Sequence, residues 1–151
     1  MEIRQTVRNG MPIINGIWYV EQQAVMRYRI WDTPAGRRLT PMKQPERPMF
    51  GQRYLFLWQS EILFPEMNGT LRFGRLRDPQ CGCLYFLDSQ TEAVIWVASF
   101  GYAAPFVKGT RYGSRVMLAT NDGELWQVTL KTPLDVDFTI MSQSGLIQHI
   151  K

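Results

Sequence analysis

Residues 24–31 alternate. Ala24, Met26, Tyr28 and Ile30 fall on one face, and Val25, Arg27, Arg29 and Trp31 on the other, the period of two that a half-solvated strand requires. The same alternation sets Leu71 and Phe73 opposite Arg72 in 70–75. It sets Trp126, Val128 and Leu130 opposite Gln127 and Thr129 in 125–130. It sets Val136, Phe138 and Ile140 opposite Asp135, Asp137 and Thr139 in 136–141. Residues 84–87 and 94–97 are apolar at every position, which predicts strands covered on both faces and a central hairpin of the core. Residues 2–7 and 12–20 read as two short strands about an Asn9-Gly10 turn. Residues 53–64 carry two periods: Leu55, Trp58 and Ile62 fit a helix, while 54–58 fits a buried strand. We expect two short strands there, with a bend near Ser60. The tail 146–150 reads as a last strand or a short helical turn. No amphipathic helix longer than about three turns is legible, so the pattern points to an all-β fold with little or no helix.

Three stretches repeat one shape, a strand, an Asp-led turn and a second strand: 27–39 (RYRIWDTPAGRRL), 84–96 (LYFLDSQTEAVIW) and 116–128 (VMLATNDGELWQV). An Asp or Asn side chain accepts from the backbone amides that follow it, and Gly supplies the positive φ that reverses the chain. Pro41, Pro45 and Pro48 punctuate 40–51, and proline lacks the amide that a sheet needs, so this is expected as a surface loop. The whole of 1–151 is expected to form one β-rich domain, an antiparallel barrel or sandwich of roughly nine to twelve short strands. Trp18, Trp31, Trp58, Trp96 and Trp126 are expected in or beside its core.

LYFLDSQTEAVIW resembles the strand pair of quinoprotein-type β-propeller blades, in which an Asp-led turn precedes a Trp, and RIWDTPAGRRL resembles the WD-plus-turn segment of a WD40 blade. Glu92 stands where those repeats place Gly, and Asp32, Asp88 and Asp122 are unevenly spaced. A propeller needs at least four blades of roughly 40 residues each. A chain of 151 residues has too little length for that. The likeness covers about 40 residues and implies hairpins; it carries over no propeller function.

With 45% hydrophobic and 20% charged residues the composition is that of a globular protein, which sets aside a disordered chain. The first residues, MEIRQTVRNG, lack the apolar core of a secretory signal, and no run approaches the roughly 20 apolar residues that cross a bilayer. The expectation is a cytoplasmic protein without membrane contact. Cys81-Gly82-Cys83 then reads as a free thiol pair. The net charge is +4, unevenly spread: ten basic residues lie between Arg27 and Arg77 against four acids, Asp32, Glu46, Glu61 and Glu66. An anionic partner would meet the first half of the chain.

Chemistry is thin by comparison. The only histidine is His149, near the end, so a Ser or Cys nucleophile has no neighbouring base and zinc has no plausible ligand set. No metal or other cofactor is implied, and no Gly-rich phosphate loop is present. Paired carboxylates remain for a hydrolase, Glu61 with Glu66 or Asp88 with Glu92, and both pairs also read as loop and turn residues. The better-founded site is a binding surface. Arg27, Arg29, Trp31, Arg37, Arg38 and Arg53 interleave cations with aromatic residues, and the loop 99–112 adds Arg111 with Phe100, Tyr102, Phe106 and Tyr112, which read either as an exposed recognition surface or as the cap of a barrel's open end. Arg, Trp and Tyr are the residues enriched at binding hot spots, and the same mixture suits single-stranded nucleic acid. The sequence reading is therefore a non-enzymatic interaction protein binding an acidic protein partner. A bacterial toxin-neutralising (immunity) protein fits its size and lack of a catalytic set. A nucleic-acid-binding β-domain is the alternative, a carboxylate-dependent hydrolase the second, and exposed edge strands invite a homo-oligomer.

Overall fold

A computed structural model describes residues 10–42, 44–77 and 80–141. Eleven strands run through them: β1 (Gly16–Tyr19), β2 (Ala24–Thr33), β3 (Gly36–Pro41), β4 (Phe56–Phe64), β5 (Gly69–Leu76), β6 (Gly82–Asp88), β7 (Val94–Phe100), β8 (Phe106–Tyr112), β9 (Arg115–Thr120), β10 (Leu125–Thr132) and β11 (Asp135–Met141). A single 3₁₀ turn at Pro65–Met67 is the one helical element among them. One sheet has seven strands in the order β3-β2-β1-β7-β6-β5-β4, the other four in the order β11-β10-β9-β8. Every neighbouring pair is antiparallel. β3 stands beside β11 and β4 beside β8, yet no ladder joins them. The fold is an all-β sandwich, and the barrel alternative is not closed.

The three repeated stretches are the hairpins β2–β3, β6–β7 and β9–β10. Asp88 caps its turn as its type predicts, accepting from the amides of Gln90 and Thr91 at 2.9 Å each. Glu92 in that turn sits at φ 60°, the left-handed geometry that glycine adopts most readily. Asp32 differs from expectation. It lies inside β2, and the turn after it is closed by the Thr33 hydroxyl donating to the Gly36 carbonyl.

β6 and β7 are the central pair, apolar on both faces because the seven-stranded sheet has two cores. Between the sheets lie Leu84, Phe86, Trp96, Phe100, Phe106, Trp126 and Phe138 with their neighbours. On the outer face lie Met11, Ile14, Trp18, Val25, Phe56, Cys83, Tyr85 and Val97. A sheet face this apolar needs a cover, and irregular segments supply it. Met11 and Tyr54 exchange backbone hydrogen bonds, as do Val25 and Glu46, and Phe50 packs on Trp18 with ring centroids 5.0 Å apart. The Pro-rich segment contributes to this cover: Pro41 ends β3, while Pro48 and Phe50 are half-buried.

Three further expectations change. Within residues 53–64 there is one strand, β4 (Phe56–Phe64), bent by a bulge at Gln59 where the register passes from Trp58–Gly74 to Ser60–Phe73. β1 starts only at Gly16, because residues 11–14 serve the cover. Trp31 and Trp58 are half exposed, at 50% and 49%, since both stand on the outer face beyond the cover. The expected elements at 2–7 and 146–150, and His149, lie outside the described residues.

Candidate binding groove

β2 outlasts β1. Residues 24–27 of β2 pair with β1, whereas residues 28–33 pair with β3 on the opposite edge. The result is a two-stranded arm projecting past the rest of the sheet. Strand alternation puts Arg29, Trp31 and Thr33 of β2 on its outer face. The register adds Thr40 opposite Arg29 and Arg38 opposite Trp31. After β3 the Met42 amide still donates to the Arg27 carbonyl, at 2.9 Å, and the chain returns to pair with Val25 only at Glu46. Met42, Gln44 and Glu46 line the side of a groove along the arm with a volume of about 930 Å³. Its lining includes Arg29, Trp31, Asp32, Arg38, Thr40, Met42, Gln44 and Glu46.

Charge is arranged unequally in this groove. Trp31 Nε1 donates to Thr40 Oγ1 at 2.6 Å, which fixes the ring across the two strands with one face open. Arg27 Nε meets Glu46 Oε2 at 3.0 Å, and its Nη1 donates to the Ile14 carbonyl, so Arg27 and Glu46 neutralise each other. Arg29 and Arg38 have no hydrogen bond or ion pair among the described residues. Two uncompensated guanidinium groups therefore flank an exposed indole. Asp32 borders the groove from the strand, but alternation turns its side chain to the inner face, opposite Arg37.

The remaining candidates lie elsewhere. Arg37 is on the inner face, where Nε donates to Glu124 Oε2 at 2.8 Å; that bond is the main reason its pKa is raised. Arg53 donates to the Gly10 carbonyl at 3.3 Å. Arg111 is a staple between sheets: it pairs with Glu66, donates to the Leu63 carbonyl at 3.0 Å and lies 4.0 Å over the Phe64 ring. Phe100 and Phe106 are corrected from surface to core, being 0% and 1% exposed, because both point between the sheets. Tyr102 stacks on Trp126 and donates to the Tyr28 carbonyl. Tyr112 is exposed, at the far end of β8. Thr40, Met42, Gln44 and Glu46 were missed. Only the β2–β3 register, carried through the turn, would have placed Thr40 and Met42 beside Arg29 and Arg27.

The carboxylate pairs do not converge on a cavity. Glu61 and Glu92 flank the Arg72 guanidinium at 2.9 and 3.8 Å on the outer surface, and Glu66 is held by Arg111. Asp88 is occupied by turn amides, which hold its carboxyl below the usual value. Cys81 and Cys83 are free and buried; burial pushes Cys81 up to about 11 and Cys83 well above the ordinary thiol. Among the described residues no three His, Cys, Asp or Glu side chains group as metal ligands, and no helix is long and apolar enough to cross a membrane. No family model, curated protein or solved structure matches the chain.

Proposed function

We propose that this is a non-enzymatic binding protein whose β2–β3 groove takes an acidic segment of a protein partner. The observation that carries the reading is the meeting of Arg29, Trp31 and Arg38 in one concave surface, with neither cation satisfied internally. A buried carboxylate–guanidinium contact is charge-assisted and can be bidentate, and an indole at its side supplies the apolar contact area of a hot spot. Occupying a partner's surface in this way is all that a toxin-neutralising protein needs to do.

Single-stranded nucleic acid is the less favoured ligand. It needs a continuous cationic track and several stacking rings. Here Arg27, Arg37, Arg72 and Arg111 are each neutralised by a carboxylate, and Trp31 is the one aromatic residue in the groove lining.

The test is capture from native lysate by the tagged protein, with and without nuclease, beside Arg29→Glu/Arg38→Glu. Stoichiometric capture of one protein that survives nuclease and is lost in the double variant supports the reading. Capture abolished by nuclease transfers the groove to nucleic acid. Capture unchanged in the double variant removes the groove from the binding surface.

A further inference from the structure

Beyond Tyr28 one edge of β2 has no strand beside it among the described residues. Odd-numbered residues of β2 direct their backbone groups at β3 and its continuation: Val25 exchanges hydrogen bonds with Glu46, and the Arg27 carbonyl accepts from Met42. Even-numbered residues face the opposite side, where the Tyr28 amide donates to the Asn15 carbonyl at 2.8 Å. The Tyr28 carbonyl is already taken, accepting from the Tyr102 hydroxyl at 3.0 Å. Since successive residues of a strand point to opposite edges, the amides and carbonyls of Ile30 and Asp32 face that same side. There β1 has ended, its first residue Gly16 standing opposite Arg27.

The sheet's other edges are defended. β4 carries a bulge at Gln59, and its outward Leu63 carbonyl is capped by Arg111. β3 stands beside β11 and β4 beside β8. Bulges and edge cations are ways in which sheets avoid unwanted pairing. Residues 30–33 carry neither device, and Arg29 and Trp31 present their side chains on the groove face of the same strand.

We infer that the acidic segment binds as an added β-strand along the 30–33 edge of β2, its alternate carboxylates turned outward beside Arg29, while Arg38 lies one strand further on, across Trp31. This rests on the groove reading of the preceding subsection. Side chains of adjacent strands stand about 5 Å apart on one face, close enough for a carboxylate to reach a neighbouring guanidinium. On the other face the added strand meets half-buried Ile30 and the exposed Asp32 carboxylate, so its inward residues are apolar and not acidic. The recognised pattern is acid at every second position with an aliphatic residue between. Main-chain pairing supplies affinity and the alternate side chains supply selection, the mode of β-strand addition.

The probe is an eight-residue peptide alternating Glu and Val, measured by fluorescence anisotropy with two backbone-methylated forms, one methylated on every Glu and one on every Val amide. Methylation removes one edge's donors and leaves charge unchanged. At least one form binds roughly tenfold or more weakly, as loss of the peptide's donations to the Ile30 and Asp32 carbonyls requires. Asp32→Pro supplies the converse arm. It deletes an amide that no other described residue uses, and it also removes a negative charge. Strand addition therefore weakens binding roughly tenfold in Asp32→Pro while Asp32→Ala matches or exceeds the parent; a purely electrostatic site tightens in both. Equal binding of all three peptides overturns strand addition and leaves the groove reading standing, whereas no saturable binding of the parent peptide overturns both. Dimerisation of the free protein that Asp32→Pro abolishes would assign the edge to a second copy of this chain and overturn the acidic occupant.

Discussion

Arg37 and Glu124 join the tip of the β2–β3 arm to the β9–β10 turn through a two-pronged ion pair. Arg37 Nε donates to Glu124 Oε2 at 2.8 Å and Nη2 donates to Oε1, which also accepts from Trp126 Nε1 at 2.9 Å. One carboxylate thus positions both the binding arm and a core indole. Glu124→Ala leaves Arg37 and the Trp126 N–H without their acceptor. We expect a loss of about 1–2 kcal/mol, below the figure for a fully buried pair because Arg37 retains some solvent. Glu124→Gln keeps an acceptor and costs less. Urea unfolding of the two variants checks the order.

Arg29 and Arg38 have no part in the fold. Charge reversal at both is expected to change stability by no more than about 0.5 kcal/mol, the scale of surface substitutions away from packed features. A thermal melt of Arg29→Glu/Arg38→Glu that matches the parent, beside lost partner capture, separates function from folding. A large fall in Tm would show that the two cations serve the structure.

Gly74 makes the β4 bulge possible. A Cβ there would stand 2.1 Å from the Leu57 carbonyl oxygen and 2.8 Å from the Trp58 Cα. These are backbone atoms and cannot rotate aside. Gly74→Ala should cost roughly 3 kcal/mol or more, the upper range for overpacking, with β4 displaced. Denaturant titration would register it, and a neutral result would mean the bulge is not as close as described.

Arg111 guards the β4 edge. Arg111→Thr removes the cap on the Leu63 carbonyl and the cation above Phe64. Leu57, Trp58 and Leu63 of that strand are already exposed. An uncapped apolar edge is a pairing template. Concentration-dependent self-association in sedimentation velocity is the expected outcome, absent in the parent over the same range.

Alkaline pH should destabilise the protein steeply. Burial raises Cys81 to about 11 from 9.0 and Tyr102 to about 12 from 10.0; burial is also the first cause of the raised values of Tyr28 and Tyr19. A group whose folded pKa is raised is protonated in both states at neutral pH, where its contribution to stability is complete. Above the unfolded value the unfolded chain releases its proton first, so stability falls until the folded value is passed. For Cys81 the window runs from about 9 to about 11, and for Tyr102 from about 10 to about 12. Urea midpoints should hold near neutrality and decline through these windows, with Cys81→Ala flattening the first part of the decline. A midpoint constant to pH 11 would contradict the burial of these groups.

The pattern along the chain, by itself, determined β5 to β7 and β9 to β11, the two-sided burial of β6 and β7, and which residues of β2 share a face, whereas β8, Phe106–Tyr112, reads in the sequence as part of a loop. Period two is a local property, and it is visible wherever one face is apolar and the other polar. It also named Arg29, Trp31 and Arg38. Sequence could not tell which of the arginines would find an internal partner, because Glu46, Glu66 and Glu124 reach Arg27, Arg111 and Arg37 across 19, 45 and 87 residues. Nor could it place Phe100 and Phe106, whose aromatic, Gly-punctuated surroundings look alike in a loop and in a core. Only the tertiary structure decided where β1 stops beside β2, that Met42, Gln44 and Glu46 join the groove lining, and hence that two cations and one indole face an open groove. Those outcomes depend on pairings distant in sequence, which no window along the chain contains.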